Sequence, residues 1–129
     1  MNAPELPKPY ELTMEARDGY LYAYVAGEHD TFEICYAYWA EIGRKLAELG
    51  LERVLIVEDI PEESSMVDVY ELASRLPEIG FRGITIAFVD RYAGHQDLND
   101  FGVLVGSNRG LIGKAFGSET EAEQWLLAH

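Results

Sequence analysis

The sequence predicts an α/β domain built on a mixed, mostly parallel sheet with helices around it. Three observations lead there. Two continuous apolar runs, "RVLIVEDI" and "GITIAFVD", have the composition of strands covered on both faces. Segments with helical spacing of apolar residues lie between and after them. Near the start, Asp18-Gly19 separates two strand-like runs, a short hairpin signal that adds one antiparallel strand. The expected order is β-β-α-β-α-β-α-β-α, in which strands alternating with helices imply parallel pairing through right-handed crossovers.

Each element has its own warrant. Residues 1–9 are proline-rich and are expected to be a flexible lead-in to a single domain over 10–129. "YELTMEAR" and "YLYAYVAGE" form the hairpin. In the second run Tyr20, Tyr22 and Tyr24 share one face, and Leu21, Ala23 and Val25 share the other. Both faces are apolar or aromatic, so the strand is expected to be central. From Thr31 to Leu49, Phe32, Cys35, Trp39, Ile42, Leu46 and Leu49 make one stripe at steps of three and four. Asp30 with Glu33 gives a capping-box start, and Gly50 gives the stop. A second helix is expected over Ser64–Leu76 with Met66, Val69, Leu72, Ala73 and Leu76 inward, closed by Pro77 and Gly80. A third spans 95–108 with Leu98, Phe101 and Val105 inward. "LIGKAFG" is the last strand. Ser118 and Glu121 cap a final helix carrying Ala122, Trp125 and Leu126.

Composition narrows the partners. The 129 residues carry 23 acidic and 10 basic side chains, a formal net charge of −13. That field repels nucleic acid and anionic lipid, and it suits a basic protein partner. Apolar residues at 48% are enough for a core. The single cysteine, Cys35, has no partner in the chain, which points to a reducing, cytoplasmic setting. The opening "MNAPELPKPYEL" has no apolar run of the signal-peptide kind, and no run approaches the ~20 residues needed to span a bilayer.

At this point the residues resemble a family. The order of elements, "RVLIVEDI" leading to Ser64-Ser65, and the tail "VGSNRGLIGKAFGSETEAEQWL" are similar to small bacterial STAS-type proteins, the SpoIIAA-like, anti-anti-sigma-factor fold. The resemblance covers residues 10–128. It is nearest to the short STAS-like proteins of unassigned function, where runs of the form "RGxxIAFVDR", "NRG" and "EAxxWL" recur. Here they are Arg82 to Arg91, Asn108-Arg109-Gly110, and Glu121 to Leu126. The resemblance implies a regulatory or protein-interaction module without catalytic activity. In signalling members a serine at the start of the helix after the third strand is phosphorylated by a partner kinase, within Asp-Ser-Ser-Gly. This chain has Glu63-Ser64-Ser65-Met66, which keeps the acid and both serines and lacks the glycine.

Asp59, Glu63, Ser64 and Ser65 are therefore the first candidate site, for phosphorylation or partner contact. A helix start offers free N–H groups to a phosphate. Against this, Ser65 with Asp68 forms an ordinary capping pair, and Glu58, Asp59, Glu62 and Glu63 would repel added phosphate. The alternative site is an apolar, lipid-binding pocket lined by Tyr22, Tyr24, Tyr36, Tyr38 and Trp39. Ile34 and Tyr38, off the main stripe, would suit a homodimer face or the wall of an apolar pocket. A third reading is an enzyme using His95, Asp97 and Asp100, with Asp90 nearby; His29-Asp30 is half of an acid–base or metal pair. No motif commits the chain to catalysis. "GSNRGLIGKAFG" fails the Walker spacing, and neither G-x-S-x-G nor H-E-x-x-H occurs. No cofactor or metal set is expected.

Overall fold

The computed structural model describes residues 8–129. The expected lead-in over 1–9 therefore lies mostly outside the described residues. A five-stranded sheet runs in sequential order: β1 (Tyr10–Arg17), β2 (Tyr20–Gly27), β3 (Arg53–Asp59), β4 (Thr85–Asp90) and β5 (Ile112–Phe116). β1 is antiparallel to β2, and the other pairs are parallel. The helices are α1 (Phe32–Leu49), α2 (Met66–Arg75), α3 (Gln96–Ser107) and α4 (Glu119–Leu127). Short 3-10 turns over Leu76–Ile79 and Ala93–His95 finish α2 and lead into α3.

Sequential order has a geometric result. Each crossover steps to the next strand in the same direction, so right-handed connections leave their helices on one face. α1, α2 and α3 pack there, over Leu21, Ala23 and Val25 of β2, Val54 and Ile56 of β3, and Ile86 of β4. α4 follows the last strand and crosses to the other face, where Ala122 and Leu126 cover Tyr20, Leu55, Val57, Ala87 and Val89. β2 is thus covered on both sides, with its two side-chain sets divided as its alternation predicts. The helices lie on both faces in unequal numbers.

The helix ends show where local signals competed. Gly19 at φ 86° closes the hairpin, and Gly50 at φ 65° ends α1. The α1 cap is Thr31, not Asp30: the Thr31 hydroxyl accepts from the Ile34 N–H at 3.3 Å. Asp30 is turned inward and is only 5% exposed. Ser65 caps α2, and Ser118 caps α4 by accepting from the Glu121 N–H. Two residues expected inward are exposed. Leu49 sits in the last turn beyond the sheet and is exposed, and Met66 opens α2 on its outer side.

α1 meets the 76–80 turn with no room between them. A Cβ built on Gly43 would lie 2.1 Å from the Ile79 carbonyl oxygen. Glycine at 43 is what permits that approach, which seats Trp39 edge-on to Phe81.

Candidate functional site

The site begins with strand parity. On β3, Val54 and Ile56 face the three-helix side, so Glu58 does too. On β4, Ile86 sets the same parity and Asp90 follows it. Register places Glu58 directly beside Asp90. Two acids thus point under the helices at the carboxyl ends of adjacent parallel strands. The loop after β2 adds Asp30. Glu58, Asp90 and Asp30 are 6, 8 and 5% exposed, respectively.

These carboxyls form one end of a cavity of about 120 Å³ between α2, α3 and the sheet. Its wall is otherwise mainly hydrocarbon, from Trp39, Leu72, Leu76, Phe88, Leu98 and Leu111. The exposed residues Glu63 and Ser107 border it, so it is reachable from solvent.

The polar end has two halves. In the first, the Tyr38 hydroxyl lies 2.9 Å from Glu58 Oε2 and 3.1 Å from Asp30 Oδ1. The Ser64 hydroxyl lies 2.8 Å from Asp30 Oδ2 and 3.0 Å from the Asp30 carbonyl. Burial, then the adjacent Asp30 charge, pushes Glu58 well above the ordinary carboxyl range. Burial raises Asp30 as well, although its hydrogen bonds to Glu58, Ser64 and Tyr38 oppose this. Two acids this close in a largely apolar site favour sharing a proton. In the second half, Asp90 accepts from the Tyr92 N–H at 2.9 Å and from Asn99 Nδ2 at 3.0 Å. His95 is 8% exposed. Its Nδ1 lies 3.0 Å from Asp90 Oδ2, and its Nε2 lies 3.2 Å from the Pro61 carbonyl. Both ring nitrogens face oxygens that only accept.

The first candidate group is divided by the fold. Asp59 has the opposite parity to Glu58 and takes the Tyr24 hydroxyl on the α4 face. Ser64 is turned in on Asp30, while Ser65 faces out and accepts from the Asp68 N–H at 3.1 Å. Glu63 borders the cavity from outside. Ser65 alone of the two serines is exposed.

The five aromatic candidates do not line one wall. Tyr38 and Trp39 line the cavity. Tyr22 and Tyr24 lie across the sheet, where Tyr22 donates to Glu119 at 2.9 Å. Burial and Glu119 push the Tyr22 hydroxyl up to about 12. Tyr36 packs on Phe32 at the helix surface. Of the two readings of Ile34 and Tyr38, the pocket wall holds for Tyr38, which is wholly buried and lines the cavity, and the dimer face suits neither, since Ile34 packs on the core.

Of the catalytic candidates, Asp97 and Asp100 are exposed on the first turns of α3 and do not approach His95. His29 pairs with Glu62 at 2.6 Å on the surface, away from the Asp30 carboxyl. Cys35 lines the cavity as a buried thiol pushed up by burial, the opposite of an activated nucleophile. Among the described residues no three His, Cys, Asp or Glu side chains are arranged to hold a metal, and no helix is long and apolar enough to cross a membrane.

Glu58 and Asn99 were missed from sequence as site residues. The parity of β3 was the available signal for Glu58. Asn99 had none, because its role depends on how the turn before α3 seats His95.

No family model matches the chain. No curated protein matches it either. Among solved structures it is similar to the crystal structure of an anti-sigma factor antagonist from Mycobacterium paratuberculosis. The likeness covers 96% of this chain and 99% of that one, with a TM-score of 0.63 and 14% identity. A likeness of that extent at that identity speaks for architecture, and the chain has the STAS-like fold of anti-sigma factor antagonists.

Proposed function

We propose that the protein is a regulatory interaction module without catalytic activity, docking a partner protein on the start of α2. One observation carries this. Met66, Val67 and Tyr70 are 62, 68 and 46% exposed, and they stand beside the accessible Ser65. Exposed apolar side chains clustered on one helix mark interaction surfaces. Glu62, Glu63 and Glu71 lie on and around the same segment, which suits a partner with apolar anchors and basic flanks. The similar solved structure is named an anti-sigma factor antagonist. A partner of the anti-sigma class, with kinase activity toward Ser65, fits that surface in a cytoplasmic setting. A phosphate on Ser65 would add charge among those acids and weaken docking of an apolar partner.

The test is co-purification from the native host with quantitative mass spectrometry, comparing the wild type with the double variant Met66→Asp, Val67→Asp. Both side chains are exposed, so the fold should keep its melting temperature. The expected result is loss of a stoichiometric protein partner from the double variant. Equal retention by both forms would sink the docking site. Peptide mapping of residues 54–75 in the same samples locates any phosphate, which is expected on Ser65 and not on Ser64.

A second reading has its own observation. The largely apolar cavity beneath α2 and α3 supports binding of a small apolar ligand. Tyr38 and Trp39 would contribute to that wall, without Tyr22, Tyr24 or Tyr36.

A further inference from the structure

The cavity's carboxyl end holds two buried acids with no cation paired to them among the described residues. Asp30 and Glu58 present four carboxyl oxygens, and both residues are more than nine-tenths buried. Among the described residues, the side chains that donate to them are the Tyr38 and Ser64 hydroxyls, with one hydrogen each, beside the hydrogen bond that the two acids make with each other. Tyr38 lies within reach of both acids and can serve only one at a time. Among the described residues no lysine or arginine pairs with either acid, and Lys114, on the cavity wall, is exposed. His95 has both nitrogens engaged, by Asp90 and by Pro61. Asp90 is served by His95, Asn99 and the Tyr92 N–H, so the shortfall belongs to the Asp30–Glu58 half. An apolar chamber that ends on buried acids without a paired cation is specified for one kind of head group.

We propose that the cavity binds a small hydrophobic amine as its ammonium ion, with the hydrocarbon body among Trp39, Leu72 and Phe88 and the ammonium at Asp30 and Glu58. This inference rests on the ligand-binding reading above and is independent of partner docking. An ammonium brings three N–H donors and the positive charge that the two acids lack. An alcohol brings one hydrogen and no charge. A carboxylate or phosphate brings negative charge to two acids and would be repelled. The volume limits the body: an apolar cavity of about 150 Å³ takes benzene. At about 120 Å³, this one suits a body of roughly five or six carbons.

The proton count follows. With both acids raised, the free protein favours one proton shared between them. The ammonium takes its place, so binding expels that proton to buffer, and no covalent bond is made or broken.

The experiment is isothermal titration calorimetry at pH 7 with n-hexylammonium chloride, n-hexanol and sodium hexanoate. Each probe is titrated in phosphate and in Tris, against the wild type, Glu58→Gln and Asp30→Asn. Thermal melts establish that each variant is folded. The expected result is saturable binding of hexylammonium at least about tenfold tighter than hexanol, with hexanoate silent. The buffer dependence of the heat should report close to one proton released per amine bound. In either folded variant hexylammonium should fall to the affinity of hexanol, while hexanol is unchanged. Hexanol binding as tightly as hexylammonium to the wild type would overturn the amine assignment and leave a ligand cavity standing. Binding of hexanoate, or amine binding without proton release, would overturn it equally. Silence from all three probes would overturn both this assignment and the ligand-binding reading.

Discussion

Glu58 stands on a strand that otherwise reads as plain core, and its place follows from counting by twos. In "RVLIVEDI" the acids at 58 and 59 look like the polar end of a run. Alternation separates them: Glu58 turns under the helices and Asp59 turns to Tyr24. The spacing of residues was sufficient to see this, whereas composition pointed the other way. Asp30 was misassigned for a related reason. It is a good capping residue by type, but the next residue, Thr31, also caps, and Tyr38 and Ser64 give Asp30 partners inside. The buried pair has a stability consequence. A raised carboxyl binds its proton more tightly in the folded chain than in the unfolded one. Its contribution is therefore complete below the ordinary carboxyl range, near pH 4, and is lost as pH rises through the raised value. The wild type should lose stability relative to Glu58→Gln from about pH 5 upward, with a limiting slope of about 1.4 kcal/mol per pH unit. Urea unfolding of both proteins from pH 5 to 8 measures the difference. A difference that stays flat with pH would mean the pair holds no proton.

At the level of helices and turns, the interior of each element was easier to read than its ends. The stripe Cys35, Trp39, Ile42 and Leu46 is buried as spaced, but the buried surface is wider by one position and takes in Tyr38. A stripe traced at single steps misses the neighbour three residues on. Leu49 and Met66 failed at helix ends, where a side chain has run past the sheet or precedes it. Gly43 shows what patterning cannot reveal. Nothing in its neighbourhood distinguishes it from a tolerated helical glycine, yet the Ile79 carbonyl occupies the place of its side chain. Gly43→Ala should therefore cost about 2–3 kcal/mol, despite alanine's better helix propensity. Chemical denaturation decides it, and a stabilised Gly43→Ala would contradict the close approach.

Across the whole molecule, element order and sheet class were legible because strand runs and helical periods alternate without ambiguity. The unequal covering was not, since it depends on the direction in which every crossover steps. The aromatic residues suffered most from this. Tyr22 and Tyr38 are both near-core tyrosines by sequence, and the sheet lies between them. One thin helix, α4, covers the second face, and Leu126 is wholly buried within it. Leu126→Ala removes much of that cover and should cost about 3 kcal/mol. Thermal unfolding followed by tyrosine and tryptophan fluorescence would show it, and a loss below about 1 kcal/mol would mean the face is held by the strands alone.

Sequential strand order also bears on how the chain is made. As it leaves the ribosome, each new strand finds its neighbour already synthesised, and each crossover helix falls on ground already laid. The last helix is different. Until residues 119–127 have emerged, the surface formed by Tyr20, Leu55, Val57, Ala87 and Val89 stays bare on an otherwise assembled sheet. Synthesis thus passes through a late interval in which a nearly complete domain carries a sticky back. Its strong negative charge then keeps neighbouring nascent chains on a polysome apart.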